Sequence, residues 1–260
     1  MTKLCGLGDR VANRIMRHFP ASGLRVNSRT PIVSFTFDDV PDSALQNGAS
    51  ILESHGVRGT FYIAGGLTDQ VRPDWAFISA EGCRELVTRG HEVGCHTFSH
   101  GNTRRLQPRE VSEELDRNAA FLHDAAGIVP RNFAFPYNVA SPMARDVLTR
   151  RFRTCRGGHE GVNRGPTDPG YLKSVEIRQP EHFARGLTRW IDEVVERPGW
   201  LIFFTHDIAT DPSRFGCTSD TLDLLVDYAV NRGCTVLPVD EALDHAGIEQ
   251  VGQSRVLQEA

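Results

Sequence analysis

From Pro31 onward, short apolar runs alternate with longer amphipathic stretches. Ile32-Val33-Ser34-Phe35-Thr36-Phe37, rich in β-branched and aromatic residues, predicts a strand over 31–37, and a helix is expected over 43–55. A strand over 58–64 then precedes a helix over 80–89. HEVGCH, a helix over 108–126, the strand RNFAFPY and a helix over 142–150 follow. FRTCR, LKSVEI, the helix HFARGLTRWIDEVVE, the strand WLIFFTH, a helix over 218–232 and CTVLPV complete the series. Gly90, Gly127 and Gly233 stand where helix C-caps belong. Seven or eight strands alternating with helices predict an α/β fold on a parallel sheet, closed into a barrel or open and doubly wound. Both architectures gather a ligand site at the carboxyl ends of the strands.

Upstream, Leu4, Leu7, Val11, Ile15 and Phe19 recur at helical spacing with Arg10, Arg14 and Arg17 between them, which predicts an amphipathic helix over 3–18. Such a helix packs on its own domain or lies on an anionic membrane surface, so peripheral membrane contact is carried as an expectation. The division read from these patterns is a helix and lead-in over 1–30, one domain over 31–245 and a tail over 246–260. With 260 residues and 40% hydrophobic content, one domain with a substantial core is expected. The formal net charge of −4 and the scattered arginines argue against a nucleic-acid partner. The six cysteines form no CxxC pair, the first twenty residues lack an apolar signal core, and no stretch approaches a membrane span. Reduced thiols and a cytoplasmic location are the expectation.

The predicted strands end in unusual residues. The first delivers Asp38 and Asp39, the third His96 and His100, the fourth Pro136 and Tyr137, and WLIFFT delivers His206 and Asp207. Along a strand, side chains alternate sides, so neighbouring carboxylates are expected to part, one toward an ion and one toward water. His96 and His100 would be about 13 Å apart in a strand but roughly 5 to 6 Å apart on a helical turn. The strand is therefore expected to stop near His96 and turn helical. Two histidines and one carboxylate make a three-ligand site with a position left open, the pattern of catalytic metal. His206, at a strand end opposite that site, suits a general acid.

TFDD at 36–39, HTFSH at 96–100, FAFPY at 133–137 and FFTHD at 203–207, in this order, resemble the motifs of the polysaccharide deacetylases, the NodB-homology domain of carbohydrate esterase family 4. The resemblance runs from about Pro31 to Leu243. It implies a distorted or incomplete (β/α) barrel and metal-dependent removal of an acetyl group from an N-acetylated sugar of a polysaccharide or glycan precursor. By that likeness Asp38 is the base, Asp39, His96 and His100 hold a divalent ion (Zn²⁺ first, with Co²⁺, Mn²⁺ or Ni²⁺ as substitutes), His206 is the acid and the N–H of Tyr137 meets the oxyanion. Three departures stand out. Ala134 replaces an arginine that would hold Asp38, leaving Arg156 or Arg178 as candidates for that task. No Asp-rich segment supports His206, with Glu176 the nearest substitute. Val40 stands where a glycine is usual. Specificity is expected in the loops 65–79 and 157–172, where Asn163, Arg164 and Asp168 offer polar groups. The competing readings are a hydrolase of a small non-sugar amide and a carbohydrate-binding protein whose catalysis has decayed.

Overall fold

Every side chain of the strand Ile32–Asp38 is buried, as expected of a strand covered on both faces. The computed structural model of the chain describes residues 6–18, 23–73, 75–178, 182–247 and 249–251. The strands are β1 (Gly23–Val26), β2 (Ile32–Asp38), β3 (Thr60–Ile63), β4 (Glu92–Cys95), β5 (Asn132–Ala134), β6 (Thr154–Arg156), β7 (Gly165–Thr167), β8 (Val175–Glu176), β9 (Trp200–Thr205), β10 (Thr235–Val236) and β11 (Glu249–Val251). The helices are α1 (Leu7–His18), α2 (Ser50–Ser54), α3 (Ala80–Thr88), α4 (Pro108–Ala126), α5 (Arg145–Arg151), α6 (His182–Glu196), α7 (Ser219–Asn231) and α8 (Val239–His245).

The main sheet is parallel, in the order β6-β5-β4-β3-β2-β9-β8, with β10 paired to the start of β2. It curls until its edges nearly meet. Leu172 exchanges backbone hydrogen bonds with β6 (Leu172 N to Cys155 O, 2.8 Å; Gly157 N to Leu172 O, 3.0 Å), and a few residues on β8 pairs with β9. The fold is thus a curled, parallel-stranded (β/α) half-barrel, which settles the choice left open by periodicity. Alternation divides β2 between two environments. Val33, Phe35 and Phe37 join a large apolar cluster with residues of α2, α3, α6 and α7, and Phe35 stacks on Phe203 and Phe37 on Phe61. The other face carries Ser34, Thr36 and Asp38. Trp200 Nε1 donates to Ser34 Oγ (2.9 Å), and Thr36 Oγ1 donates to Phe203 O (2.8 Å), so this polar face has partners inside the curl.

Several expectations are revised. The helix over 43–55 is two pieces, a π turn over Ala44–Ala49 and then α2. A second, antiparallel sheet, β11-β1-β7, ties the lead-in to residues near the C-terminus; its strands are three or four residues long and one reads Gly-Pro-Thr, too short and too irregular to betray a period. The helix α8 was also not legible. Gly90, Gly127 and Gly233 do adopt left-handed φ angles of 81°, 70° and 76° at helix ends. The helix α1 packs on its own domain, but through Asp9, Ala12 and Met16, leaving Leu7, Val11 and Ile15 exposed. Leu4 and Phe19 lie outside the described residues.

Candidate metal centre and active site

The ends of β2, β4 and β5 share a backbone device. Of the seven non-glycine residues with positive φ among the described residues, six follow these strands: Asp39 (60°), Val40 (49°), Thr97 (60°), His100 (55°), Tyr137 (59°) and Asn138 (55°). Each such conformation costs on the order of 1 kcal/mol or more and persists where surrounding structure enforces it, commonly at functional sites. After Asp38 the chain closes a three-residue turn through Val40 N to Asp38 O (2.6 Å). The expected alternation is therefore not what parts the two aspartates; the strand ends and the backbone reverses at Asp39. Val40, fully buried and β-branched, occupies the left-handed region where a glycine is usual, so that departure keeps the turn at a conformational cost.

The second motif also differs from expectation. Residues 96–102 are not helical; left-handed Thr97 and His100, with Gly101 N donating to Thr97 Oγ1 (3.2 Å), fold HTFSH into a loop. The loop achieves what the helical turn was invoked for, with imidazole centroids 5.0 Å apart. Asp39, His96 and His100 each offer one ligand atom, all within 4.8 Å of one another. His96 Nδ1 faces Ala134 O at 2.9 Å. A carbonyl only accepts, so Nδ1 carries the hydrogen and Nε2 presents its lone pair, 3.6 Å from Asp39 Oδ1. Asp39 Oδ1, 3.0 Å from His100 Nε2, is buried without a hydrogen-bond donor. Burial pushes His96 down to about 4, which keeps the imidazole neutral at neutral pH. Burial alone would raise Asp39, but the imidazoles of His100 and His96 outweigh it and hold the carboxyl well below its usual range. Two imidazoles, that of His96 neutral, and a carboxylate whose buried oxygen lacks a donor converge on one point and fit a divalent cation with nitrogen and oxygen ligands.

Asp38 lies beside this cluster, 2% exposed, with its Oδ2 accepting from Arg156 Nη2. Arg156 is fully buried. Its Nη1 reaches Asn138 Oδ1 (3.2 Å), Ser174 Oγ (3.3 Å) and Gly157 O (3.4 Å), and its guanidinium lies 4.6 Å from the centroid of Phe204. In the parallel register of β5 and β6, Arg156 pairs with Ala134. The cation missing at 134 is thus supplied by the neighbouring position on the adjacent strand. Asp38 Oδ1 is buried with no partner, the one oxygen of this carboxylate left to accept. Arg178 does not touch Asp38; it is half exposed and lies 3.3 Å from Glu176, whose own carboxylate makes no hydrogen bond to His206 among the described residues.

His206 follows β9 and is held from other directions. Its Nδ1 faces Phe215 O at 3.2 Å, and its ring stacks toward Trp75 (6.4 Å between centroids) and tilts against Phe215 (5.5 Å). The loop carrying Phe215 is folded by Asp207, whose carboxylate accepts from Ser213 N (2.7 Å) and Ser213 Oγ (2.6 Å). Gly216 packs so closely that a Cβ there would lie 2.2 Å from Asp207 O. The ring of Tyr137, 61% exposed, sits 4.5 Å from that of His100 at the rim. Asn163, Arg164 and Asp168 prove structural: Asn163 bonds Lys173 and Trp200 backbone, Arg164 pairs with Glu193, and Asp168 bonds Gly170 N and Arg145. Sequence reasoning missed Trp75, Asn138, Ser174 and Phe215, none of which carries a motif; only the clustering of Asn138 after PY pointed at all.

Comparison with known proteins places this geometry. The polysaccharide deacetylase family model matches residues 25–150. The chitooligosaccharide deacetylase of Bradyrhizobium sp. (strain ANU 289) is 27% identical over 227 residues, covering 82% of this chain and 91% of that protein. A peptidoglycan-N-acetylglucosamine deacetylase of Listeria monocytogenes is 28% identical over 117 residues, 45% of this chain but only 23% of the relative. Among solved structures, a family 4 acetyl xylan esterase from Clostridium thermocellum, in complex with a cobalt ion, superposes with a TM-score of 0.60 at 23% identity, covering 82% of this chain and 90% of that one. Residues 25–150 thus match the polysaccharide deacetylase family, and the curled parallel sheet is the fold of that family's solved structures.

Proposed function

We propose that this protein removes an N-acetyl group from a sugar of a polysaccharide or glycan precursor, with Asp39, His96 and His100 holding a divalent ion, Zn²⁺ in the first instance. The observation that carries the reading is a three-donor cluster beside a buried carboxylate with one oxygen tied to Arg156 and the other unpartnered. When bound, the ion supplies Lewis acidity toward the acyl oxygen and the attacking water. Asp38 Oδ1 accepts the water proton as the oxygen adds to the acyl carbon, and Arg156 keeps the carboxylate aimed. The backbone N–H of Tyr137 donates to the oxyanion. As the carbon–nitrogen bond breaks, His206 delivers a proton to the departing amine. Because Nδ1 of His206 faces a carbonyl, Nε2 is the atom for that transfer. The products are acetate and a free amino sugar.

The motives for a decayed, binding-only protein were Ala134 and the absent support for His206; Arg156 and Phe215 stand in those places. A cytoplasmic location belongs to this proposal as well, on the ground that the five described cysteines are unpaired. The test is acetate release from N-acetylated chitooligosaccharides, O-acetylated xylan and a small cyclic amide, each with Zn²⁺ or Co²⁺ and after chelation. Release from the first substrate that chelation abolishes and metal restores is the expected result. Turnover of the amide or ester alone, or none with any metal, would overturn it.

A further inference from the structure

The helix α1 docks by one face and, among the described residues, leaves the other exposed. Its inner face, Asp9, Ala12, Asn13 and Met16, is fixed to the domain: Met16 enters the cluster around Phe133 and Phe135, and Asp9 pairs with Arg104. Asn13 Nδ2 donates to Asn138 O (3.0 Å) and Asn13 Oδ1 accepts from Ala140 N (2.8 Å), so α1 is fastened to the rim loop that carries Tyr137. At about 3.6 residues per turn, Leu7, Val11 and Ile15 form one line on the outer face and Arg10, Arg14 and Arg17 the line beside it. The aliphatics are 81%, 50% and 40% exposed, and the three arginines are exposed too. Arg105, also exposed, adds a further cation next to the ion-paired Arg104, while the only acid of the helix, Asp9, is turned inward.

We infer that the outer face of α1 docks on an anionic lipid bilayer, with Leu7, Val11 and Ile15 entering the acyl boundary and the arginines meeting lipid phosphates. Three aliphatics in a row on an exposed helix have no structural use in water, and a basic line beside an apolar one is the pattern of interfacial helices. The charge is local, since the whole chain carries −4, so the attraction belongs to this face and not to the molecule at large. A second copy of the chain fits worse: a two-fold contact would bring this arginine line against its own counterpart with no acid on the face to answer it. Because α1 is bonded to the 136–140 loop, a bilayer there lies beside the mouth of the site.

The inference is tested with full-length protein by co-sedimentation with vesicles of phosphatidylcholine alone and with phosphatidylglycerol added. Binding to the anionic vesicles, weakened by salt, is expected. The variant Arg10→Gln/Arg14→Gln/Arg17→Gln should bind on the order of a hundredfold more weakly, and Leu7→Asn/Val11→Asn/Ile15→Asn should lose binding, both with unchanged acetate release from a soluble substrate and unchanged circular dichroism. Failure of the wild type to sediment with anionic vesicles would overturn the inference, as would sedimentation that neither variant reduces. So would a wild-type dimer that the asparagine variant converts to monomer. None of these outcomes bears on the deacetylase reading, which is measured separately by acetate.

Discussion

Asp38 and Arg156 are separated by 118 residues in sequence and are joined by one hydrogen bond in a space where both are almost fully buried. Such a pair is retained for what it positions more than for what it stabilises, because the desolvation of two charges offsets most of their attraction. Removing one partner is another matter. Arg156→Met leaves the Asp38 carboxylate buried and uncompensated, and should cost about 3 to 5 kcal/mol in chemical denaturation. Asp38→Asn removes only the acceptor and should lower kcat by about 10²- to 10⁴-fold while metal content by elemental analysis stays at one ion per chain. If Asp38→Asn retained most activity, another base would have to be sought. Val40 teaches a related point: a residue type that sequence statistics place in strands is held left-handed because the turn that closes from Val40 N back to Asp38 O requires it.

At the scale of elements, α2, α3 and β3 meet in a small ion network. His91 is buried, accepts from Gly59 N through Nδ1 (3.1 Å) and so carries its hydrogen on Nε2, toward Glu53 Oε1 at 3.0 Å. Arg89, hydrogen-bonded to Glu53, draws that carboxyl down to about 2, and burial lowers His91 from its ordinary 6.5. Between 6.5 and the lowered value, unfolded chains bind a proton at this position that folded chains do not, so stability falls as pH falls through that window. Protonation of His91 would also break its bond from Gly59. Glu53 adds stability above its ordinary 4.5 that is lost as pH falls toward 2. Denaturation midpoints of the protein between pH 7 and pH 5 should drop, and should drop less in His91→Gln. Identical pH profiles for the two proteins would refute this assignment.

At the scale of the molecule, the sheet's curl is what brings the ends of β2, β4, β5, β6 and β9 to one place, and the proposed metal would tie the first two of these together. An ion that binds only the folded arrangement stabilises it by mass action. Thermal melts of chelated protein should therefore shift upward on addition of Zn²⁺, by several degrees when the ion is in large excess over its dissociation constant, and His100→Ala should abolish the shift. An equal shift in that variant would place the ion elsewhere.

How much of this was legible depended on the range of the interaction that carried it. Strand and helix order followed from periodicities of two and of about 3.6, which are local and survive in one dimension. The motif residues could be read because each lies within a few positions of a strand end, and the fold class alone says where strand ends go. Arg156 was no more than one of two candidates, since its nearness to Asp38 and Ala134 comes from the register of β6 beside β5, which no single segment encodes. Trp75 and Phe215 were invisible for the same reason, as were β1, β7 and β11, whose few residues acquire a strand's conformation from their partners. The amphipathicity of α1 was written in the sequence, but not which face would be turned to the protein: that was decided by tertiary packing, because Met16 joins the cluster around Phe133 and Phe135 and Ala12 is buried beside it on the same face, while Leu7, Val11 and Ile15 stay exposed.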